Sequence, residues 1–108
     1  RSLDNSHLIK LGKYILHADH ATLKNQEDDT EKMLTAREAK ILELLAVNKN
    51  DVVRREAVLS RFWGVEDKDY FASRSLDVFI KKIRTAIEDE PSVELKTIRG
   101  IGFKLIVE

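Results

Sequence analysis

Residues 73–84 read SRSLDVFIKKIR, and the order of apolar and basic residues in this stretch decides the fold class. Leu76, Ile80, Ile83 and Ile87 recur at i, i+4, i+7 and i+11, which predicts a helix with one apolar stripe facing a core. The other side of this helix is polar and basic. Such a face can enter the major groove of a nucleic acid duplex, although a charged helix face is more often simply solvated.

A glycine-containing hairpin is predicted after this helix. Residues 94–98 and 103–107 are short runs typical of strands, and they flank an RGIG turn. Gly100 and Gly102 allow a narrow tip, so Arg99 can approach the minor groove of a duplex. The alternative interpretation of Arg99 is an exposed hairpin arginine without a ligand.

Two further helices are predicted before the basic helix. A capping box at Thr35 and Glu38 opens the first of them. The second is expected from about Arg55 to Trp63, and Gly64 ends it. Arg54 occupies the position before the second helix and is a poor N-cap, so this end is expected to fray.

The limits of the basic helix follow from its flanking residues. Ser73 is the expected N-cap, and Pro91 disfavours helical backbone at Glu90, so the helix is predicted over residues 73–89. Residues 52–53 are predicted to form a short extended link between the first two helices.

The whole pattern predicts an α+β fold with an N-terminal four-stranded antiparallel sheet, three helices and a C-terminal β-hairpin. Short apolar runs between polar turns assign residues 7–34 to the sheet. Residues 1–6 are expected to be a tail, residues 35–90 the three-helix core and residues 93–107 the hairpin. Residues 1–108 are expected to form a single domain, a helix-turn-helix with the hairpin as its wing.

Charge is distributed unevenly although 19 basic and 19 acidic residues sum to zero. Residues 70–87 carry a net charge of +3 and residues 95–108 a net charge of +2, whereas residues 88–94 carry −4. Because salt screens charges beyond about 8–10 Å, the local excess on the helix and hairpin matters more to a polyanion than the sum.

Composition argues against other classes of function. The chain has no cysteine, which excludes disulfides, thiolate zinc sites and cysteine nucleophiles. His17 and His20 lack convincing further ligands, and no catalytic constellation stands out, so we expect no metal, no cofactor and no enzyme. No apolar run reaches membrane-spanning length, which favours a cytoplasmic protein. The start at Arg1 rather than at a methionine indicates a piece of a longer protein or a tagged chain.

Taken in order, these motifs resemble the DNA-binding effector domain of the OmpR/PhoB family of response regulators. The resemblance covers about residues 8–106 and is carried by LTARE at residues 34–38, FWG at 62–64, SRSLDV at 73–78 and TIRGIGF at 97–103. It implies a winged helix that binds double-stranded DNA sequence-specifically. The domain would be the output domain of a two-component system that controls transcription.

The resemblance also implies which residues touch DNA. The helix over residues 73–89 would lie in the major groove, and Arg99 would enter the minor groove. Basic side chains would bind phosphates or base edges, and Val78 would contact a thymine methyl group. The residues expected to bind DNA are Arg74, Ser75, Val78, Phe79, Lys81, Lys82, Arg84, Thr97, Arg99 and Trp63.

Several residues of the basic helix complicate this interpretation. Asp77 is expected to be structural and to pair with Arg74 or Lys81. Lys81 and Lys82 stand where the family often has arginine, and Phe79 stands where it more often has a polar or histidine side chain. This aromatic residue and the zero net charge favour a second hypothesis, a winged-helix protein-interaction module without DNA binding.

The resemblance implies three partners besides DNA. RNA polymerase would contact the acidic loop at Glu66, Asp67 and Asp69. A receiver domain would precede Arg1. Two copies of the domain would bind head to tail on direct repeats.

Overall fold

The N-terminal part of the chain forms a four-stranded antiparallel sheet, as predicted. The computed structural model describes residues 8–64 and 69–108, so the predicted tail lies outside the described residues. The strands are β1 (Leu8–Leu11), β2 (Tyr14–His17), β3 (Thr22–Asn25) and β4 (Glu31–Met33), in the order β1-β2-β3-β4. Alternate residues face the core, and the buried face includes Leu11, Tyr14, Leu16 and Leu23.

Helix α1 (Ala36–Val47) begins where the capping box predicts, and α2 (Arg55–Trp63) begins and ends where the sequence predicts. The Thr35 hydroxyl accepts the Glu38 amide at 3.1 Å, and the Glu38 carboxylate accepts the Thr35 amide at 2.7 Å. The side chain of Arg54, the N-cap of α2, makes no capping hydrogen bond. Gly64 ends α2 with a φ of 68°, in the left-handed region that glycine adopts without strain.

The third helix, α3 (Tyr70–Ile87), starts three residues before the predicted Ser73 and ends two before the predicted Asp89. Asp69 is the actual N-cap, and its carboxylate accepts the amide of Ala72 at 3.0 Å. Asp is as good an N-cap as Ser, so the earlier start is available. The prediction of Ser73 as the cap was wrong.

Three strands, rather than the two of the predicted hairpin, form the C-terminal sheet: β5 (Val52–Arg54), β6 (Val93–Ile98) and β7 (Gly102–Val107), in the order β5-β7-β6. The predicted link at residues 52–53 is therefore an outer strand paired with β7. Gly102 lies opposite Arg54 in this pairing, and a Cβ atom there would collide with the Val53 carbonyl oxygen. Glycine at 102 is thus required by the close approach of β5.

The apolar stripe predicted for the third helix is buried. Its residues are Leu76, Ile80, Ile83 and Ile87, all at most 3% exposed. They share one core with residues of α1 and β7, among them Leu42 and Phe103. The two sheets and three helices are therefore held around the inner side of α3.

A polar clamp joins the N-terminal sheet to the end of α3. The Tyr14 hydroxyl donates to both carboxylate oxygens of Asp89, at 2.8 and 2.9 Å. Lys13 and Lys32 pair with the same carboxylate at 3.3 and 3.5 Å, and Lys32 also donates to the Ala86 carbonyl oxygen at 2.7 Å. The hydrogen bond from Tyr14 is the main reason why the pKa of Asp89 lies below its ordinary value of 3.8.

We expect Tyr14→Phe to lower the free energy of unfolding by about 1 kcal/mol at pH 7. Because the pKa of Asp89 is lowered on folding, this difference is fully present above about pH 4 and shrinks as the pH falls through the lowered pKa. Urea unfolding of both chains from neutral pH to about pH 2 measures it. Tyr70→Phe, which changes an exposed hydroxyl, is the control. A Tyr14→Phe difference that stays constant with pH contradicts the role of the Asp89 charge.

Candidate nucleic-acid interface

The outer side of α3 is exposed and basic along its length. We call this surface the basic face; its members are Arg74, Val78, Lys81, Lys82 and Thr85. Val78 is 53% exposed at its centre. Within residues 8–64 and 69–108, Lys81 and Lys82 make no ion pair or side-chain hydrogen bond, so both ammonium groups are available to an anionic ligand.

The first turn of α3 adds two aromatic residues that the sequence interpretation did not include. Tyr70 accepts a hydrogen bond from Arg74 at 2.9 Å, and the Arg74 guanidinium lies 5.6 Å from its ring. Phe71 packs edge-on against Tyr70 and is 81% exposed. The predicted helix over residues 73–89 excludes both residues, and they belong to α3 because it begins earlier, at Tyr70. Ser75, further along the helix, is half-buried.

Phe79 and Trp63 form one border of the basic face. Their ring centroids are 5.8 Å apart, and both side chains are half-buried against the core. Phe79 therefore packs against the protein instead of standing free on the helix. The Arg37 guanidinium lies over the Trp63 ring, 4.6 Å from its centroid.

Arg84 forms the opposite border and attaches the wing to α3. Its Nε donates to the Leu95 carbonyl oxygen at 3.1 Å, and its Nη2 donates to the Thr97 hydroxyl oxygen at 2.9 Å. Two of the predicted DNA-binding residues, Arg84 and Thr97, thus bind each other. The Thr97 hydroxyl keeps its own proton for donation to another acceptor.

Asp77 pairs with Arg55 rather than with Arg74 or Lys81, so the predicted partners were wrong. The Arg55 Nη2 lies 2.9 Å from the Asp77 carboxylate and also donates to the hydroxyl and carbonyl oxygens of Ser73. Arg55 begins α2, which the tertiary fold packs against α3, whereas the predicted partners belong to α3 itself. This contact sets the relation between the two helices of the helix-turn-helix.

The tip of the wing is a tight turn that presents Arg99. The Ile101 amide donates to the Ile98 carbonyl oxygen at 2.9 Å, and Gly100 supplies a φ of 79° inside the turn. Arg99 is exposed, and in the described part of the chain it has no ion pair or side-chain hydrogen bond. Gly102 is buried at the base of the tip, so of the two predicted glycines only Gly100 shapes the turn.

The remaining predicted sites are less defined. Glu66 and Asp67 lie outside the described residues, and Asp69 serves as the N-cap of α3. The rings of His17 and His20 are 3.8 Å apart, but among the described residues no group of three potential ligands could hold a metal ion. No helix in the described part is long and apolar enough to cross a membrane.

Comparison with known proteins places this geometry in a family. Residues 29–105 match the family model described as "Transcriptional regulatory protein, C terminal". Over 101 residues the chain is 35% identical to the transcriptional regulatory protein RprY of Bacteroides fragilis (strain YCH46). This alignment covers 94% of the chain and 41% of RprY, so the chain spans about two fifths of that relative's length.

Solved structures share the fold. The response regulator DrrB, a Thermotoga maritima OmpR/PhoB homolog, is 33% identical with a TM-score of 0.72, over 93% of this chain and 44% of DrrB. The DNA-binding domain of Escherichia coli CpxR has a TM-score of 0.78 at 22% identity, covering 93% and 96% of the two chains. The Klebsiella pneumoniae RstA DNA-binding domain, solved in complex with the RstA box, has a TM-score of 0.73 at 22% identity, covering 92% and 96%.

We expect Arg84→Met to loosen the wing while leaving the core intact, because it removes two hydrogen bonds and keeps the apolar stem. Amide hydrogens of β6 should exchange faster, and the free energy of unfolding should fall by about 1 kcal/mol. Lys82→Met, on the same helix without such bonds, is the matched control. Equal exchange in the two variants contradicts the tethering role.

Proposed function

The chain belongs to the family of transcriptional regulatory protein C-terminal domains, and we propose that it binds duplex DNA as the output domain of an OmpR/PhoB-type response regulator. It is a DNA-binding regulatory domain and not an enzyme. The observation that carries the proposal is the exposed basic face of α3, in which Lys81 and Lys82 have no ion pair among the described residues, with the wing tethered beside it by Arg84.

The dimensions of α3 suit a major groove. A helix with its side chains is about 10–12 Å wide, and the B-DNA major groove is about 12 Å wide. With the basic face turned inward, Lys81 and Lys82 bind phosphates or base edges, and Val78 contacts a thymine methyl group. The wing then lies along the backbone, and Arg99 enters the adjacent minor groove, where narrow A/T segments concentrate negative potential.

Acidic residues at positions 88, 89, 90 and 94 offset the positive charge of the basic face and the wing in the net charge of the chain. They follow the basic face at the C-terminal end of α3, and Asp89 there is paired with Lys13 and Lys32. Its charge is therefore compensated by the N-terminal sheet. Lys81 and Lys82 of the basic face and Arg99 of the wing, which form no ion pair within the described residues, are the cations that we propose to face the DNA.

The protein-interaction hypothesis loses one of its two supports. It relied on Phe79 as an unusual aromatic on the helix surface, but this ring is half-buried against Trp63. DNA binding, by contrast, uses Lys81 and Lys82 directly, and neither has an ion pair in the part of the chain that the structure describes.

We propose the remaining partners as parts of the same function. The relatives are longer proteins, which supports a receiver domain elsewhere in the full-length protein. RNA polymerase would contact the acidic residues Glu66, Asp67 and Asp69, of which the described part of the chain includes Asp69, the N-cap of α3. Two copies would bind head to tail on repeated DNA sites, in the cytoplasm, where bacterial DNA is located.

Lys82→Ala is expected to remove one phosphate contact. The slope of log affinity against log salt should become shallower by about 0.9. Fluorescence anisotropy with a duplex selected from a random pool measures this slope. Lys10→Ala, an exposed lysine of β1, should leave it unchanged. An unaltered slope for Lys82→Ala means that this lysine does not touch phosphate.

Arg99→Ala is expected to weaken binding about tenfold on duplexes with an A/T-rich flank and much less on duplexes with a G/C-rich flank. The reason is that a narrow A/T minor groove attracts an inserted guanidinium most strongly. Titration of one variant against paired duplexes that differ only in the flank provides the measurement and its control. An equal loss on both flanks argues against insertion into the minor groove.

A further inference from the structure

Arg37 lies outside the helix-turn-helix and the wing. It is not among the residues assigned so far to the proposed DNA surface. It lies in the first turn of α1 and is exposed. Its guanidinium stacks over the Trp63 ring at 4.6 Å. Within the described residues its side chain forms no ion pair and no hydrogen bond, so its charge is not compensated by a carboxylate.

Two half-buried rings hold this guanidinium in a defined place relative to α3. Trp63 packs against the core and against Phe79, and Phe79 belongs to α3 itself. Stacking on an aromatic face orients a planar guanidinium, and it leaves the N–H groups at the guanidinium edge free to donate. The position of Arg37 is therefore coupled to α3 through direct packing.

Arg37 and the wing lie on opposite sides of the basic face. Phe79 and Arg84 are five residues apart, which separates them by about 140° around the helix axis across the buried side. The basic face occupies the remaining arc between them. Arg84 carries the wing on one border, and Phe79 carries Trp63 and Arg37 on the other.

We propose that Arg37 binds a backbone phosphate on the wall of the major groove opposite the wing. A helix in the major groove is flanked by two sugar–phosphate strands, and the wing accounts for only one of them. A guanidinium fits a phosphate through two parallel N–H donors. Such a contact carries no sequence information, but it sets the register of α3 in the groove. The inference rests on the proposed DNA binding and adds a second anchor to it.

The first experiment compares Arg37→Ala with Arg61→Ala in the 108-residue chain. Arg61 is also an exposed arginine near an aromatic ring, 5.9 Å from the ring of Phe62. It lines a groove with Val47, which lies at the end of α1 opposite Arg37, about 15 Å along the helix axis from Arg37. Arg37→Ala should weaken binding to the selected duplex about fivefold and make the salt slope shallower by about 0.9. Arg61→Ala should change neither, and Arg37→Lys should retain the slope because the charge remains.

The second experiment locates the contact. Single phosphates of the selected duplex are replaced by neutral methylphosphonates. One replacement, on the wall of the major groove opposite the wing, should weaken the binding of the unsubstituted chain to the duplex. The same replacement should have no further effect on Arg37→Ala. Thermal unfolding and the far-ultraviolet circular dichroism spectrum check that each variant is folded.

The outcomes separate this inference from the function on which it rests. If Arg37→Ala behaves as Arg61→Ala does while Lys82→Ala binds more weakly, the role of Arg37 is wrong and DNA binding by α3 stands. If the unsubstituted chain binds no duplex even at low salt, both are wrong. If every phosphate replacement weakens Arg37→Ala as much as the unsubstituted chain, the contact is not to a phosphate.

Discussion

One side of α3 is packed into the core, and the rest of the structure depends on that packing. Leu76, Ile80 and Ile83 are almost completely buried, and each such side chain stabilises the fold by about 1.5–3 kcal/mol. Because this stripe cannot leave the core, the opposite side of the helix must face solvent. The cations there contribute little to stability. Their exposure is a consequence of the apolar packing behind them, so the proposed binding surface and the core are two sides of one helix.

Polar contacts then orient the helix within the fold. Arg55 joins α2 to α3, Arg84 joins α3 to the wing, and Tyr14 joins the N-terminal sheet to Asp89. Each hydrogen bond contributes only about 1 kcal/mol, but it is directional, whereas apolar packing is not. Contacts from three separate elements therefore hold α3 from both ends and from the side. A surface that binds a duplex needs a fixed orientation, because small displacements of the helix move its hydrogen-bond donors away from their acceptors.

Local sequence signals were sufficient for most elements. The period of the apolar residues in α3, the capping box of α1 and the stop at Gly64 act between residues close in the chain, and all three are present in the structure. The N-cap of α3 was misassigned because Asp69 and Ser73 are both good caps, and local preference does not choose between them. Residues 52–53 were too short a run to reveal a strand, because their pairing partner in β7 lies about fifty residues away.

The sequence by itself determined the fold class, the buried stripe and the basic character of the opposite side, because these follow from periodicity and charge along one element. Only the tertiary structure decided which partners the functional side chains have. Asp77 pairs with Arg55, Arg84 holds Thr97, and Phe79 packs under Trp63, because elements distant in the chain meet there. Arg37 illustrates the difference. In the sequence it is one residue of the first turn of a helix, and only the packing of α1 against α2 and α3 sets its guanidinium beside α3.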